Sequence, residues 1–162
     1  MATWSEFESA APELAAAIKD RIESHLHHVL GTLRLDGSPR LSGTEVRFHD
    51  GQLWLGCMPG SIKSRDLRRD PRYAIHSAPT DVEMADGDAK LNGTVTEVTD
   101  PEQVVAFLVA IGHGGEDNNP DPAAALAFTC DIASATLTKV AVDHLEVTTW
   151  TPHRGLVTND VR

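Results

Sequence analysis

Two tight turn signals fourteen residues apart constrain this chain more than anything else in it. Asp36-Gly37-Ser38-Pro39 closes a β-type run over Val29–Leu35, and Asp50-Gly51 ends a second run over Arg40–Phe48. Asp-Gly between extended segments selects a short hairpin, because the glycine adopts the left-handed backbone that such turns demand. Leu53-Trp54-Leu55 then reads as a third strand, so residues 29–55 predict two consecutive hairpins and an antiparallel meander. Tyr73–Ser77, Lys90–Thr99, Phe128–Val140 and Leu145–Trp150 supply further strands. Some six antiparallel strands with few helices are expected to close into a small barrel, since closure leaves no bare edges.

Helices flank this β region. Ser5 and Glu8 have the spacing of a capping box. From Pro12 onward, Leu14, Ile18, Ile22 and Leu26 recur four apart on one drifting stripe, predicting an amphipathic helix in an N-terminal segment 1–28. The barrel is expected over 29–150 and a tail over 151–162, all as one domain. Ser61 is a candidate N-cap for a short helix through Leu67, which must stop before Asp70-Pro71. Asp100-Pro101-Glu102 opens another helix running to about Ile111. The Gly-, Asn-, Asp- and Pro-rich stretch from Gly112 to Pro122 predicts a mobile loop, and Asp81 to Asp88 an exposed linker.

Charge and composition exclude several function classes. A net charge of −10 argues against a general nucleic-acid binder, because phosphate backbones select basic faces. No run approaches the ~20 apolar residues that cross a bilayer. Glu6, Glu8 and Glu13 stand where a secretory leader would be basic and then apolar, so none is expected. Cys57 and Cys130, the two cysteines, are read as reduced thiols of a cytoplasmic protein. His25 and His28 stand three apart but straddle the helix end without a nearby acidic partner, so no metal site is assigned. His113, Glu116, Asp117 and Asp121 are read as a solvated loop.

One stretch carries chemistry. Gly60-Ser61-Ile62-Lys63 places a glycine, a hydroxyl and an ammonium at the start of a helix, where free backbone N–H groups and the helix dipole favour an anion. Lys63 and Ser61 together could hold a phosphate monoester, and a solvated basic helix is the other reading of the same residues.

The ordered series sharpens this. Leu33-Arg34-Leu35-Asp36-Gly37-Ser38-Pro39-Arg40-Leu41-Ser42, Asp50-Gly51-Gln52-Leu53-Trp54-Leu55, Gly60-Ser61-Ile62-Lys63 and Leu67-Arg68-Arg69-Asp70-Pro71-Arg72 follow one another. The series resembles the pyridoxamine 5'-phosphate oxidase-like, FMN-binding split-barrel superfamily, clearly over Val29–Ser77 and more loosely over Lys90–Trp150. The resemblance implies a mainly β (α+β) fold, a six-stranded antiparallel split β-barrel with flanking helices. It implies a homodimer with FMN, or deazaflavin coenzyme F-420, at the interface and a small-molecule substrate. It also implies cofactor-binding roles. Arg40, Ser61 and Lys63, with Ile62 in the same turn, would grip the phosphate. Ser42 and Gly43 would lie along the isoalloxazine, with Cys57 and Met58 beside it. Trp150, with Pro152 and Arg154, would close the pocket from the partner chain. Ile62 stands where the vitamin B6 oxidases carry Arg, and Thr44-Glu45 where they carry Lys, which turns the resemblance toward the flavin/deazaflavin oxidoreductase branch. The expected activity is hydride transfer to or from a small conjugated substrate. The alternative is a non-catalytic carrier of the flavin or deazaflavin, or a haem protein using His76, His144 or His153.

Overall fold

The computed structural model describes residues 1–78, 84, 86–113, 115, 117 and 119–162. Asp81, Val82, Glu83 and Ala85 of the expected linker lie outside the described residues, as do Gly114, Glu116 and Asn118 of the expected loop.

Eight antiparallel strands form among the described residues: β1 (His27–Leu33), β2 (Pro39–His49), β3 (Gln52–Cys57), β4 (Arg72–His76), β5 (Asp88–Val98), β6 (Leu126–Val140), β7 (Leu145–Thr151) and β8 (Gly155–Val161). Their order is β3-β2-β1-β4-β5-β6-β7-β8, and an additional β3–β6 pairing closes the first six into a barrel. The fold is therefore mainly β, a six-stranded antiparallel barrel with flanking helices. The β1–β2 turn forms because Asp36 Oδ1 accepts from the Ser38 amide at 2.9 Å and from its hydroxyl at 2.6 Å. At the β2–β3 turn both Asp50 (φ 48°) and Gly51 (φ 67°) are left-handed, the backbone of a type I′ hairpin. In β5, a Cβ at Gly93 would sit 1.8 Å from the Asp131 carbonyl oxygen, where a bulge shifts the β5–β6 register.

Helices α1 (Trp4–Ala10) and α2 (Pro12–Glu23) pack on the barrel against β5 and β6. Trp4, Phe7, Leu14, Ile18 and Ile22 are buried with Leu30, Leu53, Leu91 and Ile132 in one continuous core. Each such side chain contributes about 1.5–3 kcal/mol when fully buried. Helix α3 spans Ile62–Arg69 and α4 spans Pro101–Ala110, capped by Ser61 and Asp100 respectively. Among the described residues, no helix is long and apolar enough to cross a membrane.

Three expectations need correction. The capping box belongs to Thr3 and Glu6 and not to Ser5 and Glu8: Thr3 Oγ1 accepts from the Glu6 amide, and Glu6 Oε2 from the Thr3 amide at 2.7 Å. The Ala2–Ile132 bridge to β6 holds the chain at Ala2, so the helix starts at once. The apolar stripe ends with Ile22, because α2 stops at Glu23 and Leu26 is left 48% exposed. Residues 155–161 are not a tail: they return beside β7 from Thr151 to Leu145 in a regular hairpin.

Candidate functional site

A cavity of about 390 Å³ lies between α4 and the strands β2 and β3. Its floor is the outer side of the sheet: Gly43, Glu45 and Arg47 of β2, then Gly56, Cys57 and Met58 where β3 ends. Gly43 is bare, and a Cβ built there would meet nothing within 4 Å. The opposite wall is apolar, from Phe107 and Leu108 of α4 through Ile111 to Pro120, Ala124 and Ala125. His27 and His113 stand at the rim.

The wall is held by a separate hydrophobic cluster. Trp54 points outward from β3 and stacks on Phe107, with ring centroids 4.8 Å apart and planes 13° from parallel. Val104, Leu108 and Ala127 complete the cluster, and the Trp54 indole donates to the His49 carbonyl at 3.0 Å. Trp54 thus fills a small core outside the barrel, and its polar atom has the partner that burial requires.

The charged end of the cavity comes from α3. Gly60 (φ 75°) turns the chain after β3, and Ser61 caps the helix, its hydroxyl accepting from the Ser64 amide at 3.4 Å. The first turn projects Lys63 back over β2, where its Nζ donates to the Gly43 carbonyl at 2.8 Å. One turn later, buried Asp66 also faces β2. Its Oδ2 accepts from Arg40 Nε at 2.6 Å and from Thr32 Oγ1 at 3.1 Å, and its Oδ1 from Arg69 at 2.9 Å. Burial alone would raise the Asp66 carboxyl, but hydrogen bonds from Arg40, Arg69 and Thr32 outweigh it and hold the group below the usual carboxylate range. Arg69 also donates to the Leu33 carbonyl, so α3 is tied to β1 and β2 together. Burial pushes the Cys57 thiol up, against a smaller opposing pull from Lys63. A thiol raised in this way is a poor nucleophile.

Gly43, Cys57, Met58 and Lys63 are therefore brought together at one cavity. Arg40 and Ser61 stand beside it, Arg40 fixed on Asp66 and Ser61 committed to its cap. Ile62 is 53% exposed on the outer side of α3, and Ser42 is half-buried on β2. Trp150 is not at this chain's cavity: it is 4% exposed in the main core, its ring 4.8 Å from Phe7, because the β6–β7 pairing turns it inward. Arg154 lies exposed in the β7–β8 turn.

The histidines named from sequence also stand elsewhere. His76 pairs with Asp88 at 3.7 Å, His144 lies between Asp143 and Asp160, and His153 is exposed in a turn. His27 and His28 alternate across β1, so the first reaches the cavity while the second is buried, its Nδ1 accepting from the Ala78 amide at 3.2 Å. Burial lowers the His28 pKa. Sequence reasoning missed Asp66 and the α4 wall. An acid three residues after Lys63 inside a basic run, and an α4 apolar on most of its surface, were the available signals.

Comparison with known proteins follows the same lines. The family described as pyridoxamine 5'-phosphate oxidase matches residues 14–135. No curated protein matches the chain. Among solved structures, a pyridoxamine 5'-phosphate oxidase-related, FMN binding protein from Nostoc punctiforme PCC 73102 has a TM-score of 0.63 at 14% identity, over 94% of this chain and 96% of that one. A conserved hypothetical protein from Mycobacterium tuberculosis has a TM-score of 0.60 at 22% identity, over 72% of this chain and 79% of the other. The heme storage protein HutZ from Vibrio cholerae has a TM-score of 0.56 at 16% identity, over 76% and 89%. At such identities the likeness is one of fold.

Proposed function

The chain belongs to the pyridoxamine 5'-phosphate oxidase family, and from that premise we propose that it is a flavin-dependent oxidoreductase acting on a small conjugated substrate. FMN is the proposed cofactor and deazaflavin coenzyme F-420 the alternative, since both end a ribityl chain in a phosphate. The observation that carries this reading is the cavity with Lys63 at its charged end and bare Gly43 beside it. The residues present fit such a group: cations and a hydroxyl at one end, an uncovered backbone along the floor, an apolar wall opposite.

When bound, the cofactor supplies the two-electron chemistry. Lys63, with Ser61 and Arg40, binds the phosphate. Gly43, Cys57 and Met58 lie along the ring system, and the Cys57 thiol, raised by burial, stays neutral there. Phe107, Leu108 and Ile111 exclude water from the opposite side. The chain works as a homodimer in this reading. Leu35, Leu41, Met58 and Ile62 are large apolar side chains between 53% and 85% exposed near the charged end, and a second copy would cover them.

Mass spectrometry of ligand released from the native protein identifies the cofactor. Calorimetry with FMN and with coenzyme F-420 then tests the site. A charged hydrogen bond is worth about 1.5–3 kcal/mol, so Lys63→Ala weakens binding by roughly ten- to a hundredfold. Binding unchanged in this variant for both ligands removes the site assignment. Light scattering showing a monomer at micromolar concentration removes the dimer.

A further inference from the structure

We infer that Asp66 is a positioning residue for anion binding, orienting the Arg40 guanidinium toward the phosphate that Lys63 receives; this rests on the cofactor reading above. Lys63 and Asp66 lie one turn apart on α3, about 4.5 Å along its axis, and both face β2. The first touches the Gly43 carbonyl and the second the Arg40 side chain. The contacts of the ammonium and of the guanidinium are thus both set by a single helix.

The manner of holding matters. Asp66 takes Arg40 by Nε, which leaves both terminal amino groups of the guanidinium unengaged by the carboxylate. The Arg40 side chain is 24% exposed, against 4% for Asp66. Thr32 and Arg69 occupy the remaining carboxylate positions, so Asp66 is fixed on both oxygens. Arg69 gives one amino group, Nη2, to both Asp66 and the Leu33 carbonyl, which turns it toward β1. Arg68 and Arg72 are paired with Glu97 and Asp70. Arg65 donates an amino group back to the Gly60 carbonyl. Arg40, reaching Asp66 through Nε, keeps both amino groups to turn outward as a planar pair of donors, the arrangement that suits a phosphate. A purely structural ion pair would hold α3 to the barrel equally well and would make no difference to what binds.

The test compares FMN with riboflavin, which lacks the phosphate, by calorimetry on the full chain. Asp66→Asn is expected to weaken FMN about tenfold and leave riboflavin unchanged. In an Arg40→Ala background the same substitution should change neither. Equal losses for both ligands, or lower thermal stability with an unchanged FMN-to-riboflavin ratio, overturn the inference and leave Asp66 structural. Should Asp66→Asn fail to fold, Arg40→Lys decides. It keeps the charge but cannot hold Asp66 and still present two amino groups, so about a tenfold loss for FMN alone is expected and full retention overturns the inference. Wild-type protein that binds neither FMN nor coenzyme F-420 brings down the cofactor reading and this inference together. Normal wild-type binding that is sensitive to Lys63→Ala but not to these variants removes this inference alone.

Discussion

The two helices beside the cavity are attached to the barrel by opposite means. Helix α3 buries only Ser64, Asp66 and Leu67, and it is held by directional bonds from Arg40 and Thr32 to the Asp66 carboxylate and from Arg69 to the Leu33 carbonyl. Helix α4 buries Val104, Phe107 and Leu108, and it is held by stacking and apolar area on Trp54. Ionic hydrogen bonds fix angle and position, whereas apolar contact rewards area and tolerates sliding. The phosphate end of a cofactor needs the first kind of support. The wall facing a ring system or a substrate needs only the second, so substrate preference can change on α4 without disturbing the charged end.

Mutations on each helix can break or sharpen this contrast. Phe107→Ala should have the largest effect. Phe107 is fully buried, and its loss should cost about 3–5 kcal/mol in urea unfolding. A cost near 1 kcal/mol would show that α4 merely rests on the barrel. Asp66→Ala should come next. Breaking a buried pair costs about 3–5 kcal/mol, and solvent at both arginines reduces this to about 2 kcal/mol. The same group gives the contrast a pH signature. Its folded-state pKa is depressed, so the stability it contributes is present above the ordinary carboxylate value of about 4 and is lost as the pH falls through the lower folded value. Urea midpoints measured from pH 6 downward should fall less steeply in Asp66→Asn than in wild type, while α4 variants should keep the wild-type slope. Leu108→Met conserves volume and should cost about 1 kcal/mol, which urea unfolding checks. The smallest effect should be that of Ser61→Ala. Its cap bond is long at 3.4 Å, so thermal unfolding should show a loss of about 0.5 kcal/mol.

What the sequence discloses follows the range of the forces involved. The two hairpins and the caps at Ser61 and Asp100 depend on residues a few positions apart, and their signals sit in the chain itself. The stripe Leu14, Ile18, Ile22 is legible for the same reason, and it misleads at Leu26 because only the start of β1 decides where α2 must end. At the candidate site, Lys63 and Gly43 were legible through the family series, and their contact across twenty residues is what the structure adds. Trp150 could not be placed from its neighbours. An aromatic near the end of a chain can be read as a pocket residue or as core until its register against Ala135 is known, and here it packs in the main core. Nor could β8 be read as a strand, because residues 155–161 alternate weakly and are exposed almost throughout. Asp66 lay hidden in a basic run, where an acid looks like ordinary charge balance.

Strand β6 closes the barrel on β3, pairs with β5 along most of its length, and still carries β7 beyond. Its register partners include Leu53 with Cys130 and Ala2 with Ile132, contacts between positions far apart in the chain. Such pairings pay loop-closure entropy before they return any stabilisation. The meander β1–β3 can form locally and early, but the outer edge of β3 then waits, unpaired, for β6. The time course of folding should therefore be set by one late encounter, on the millisecond-to-second scale typical of non-local β topologies. Until that encounter the exposed edge is where one unfinished chain can pair with another, so folding yield should fall as protein concentration rises.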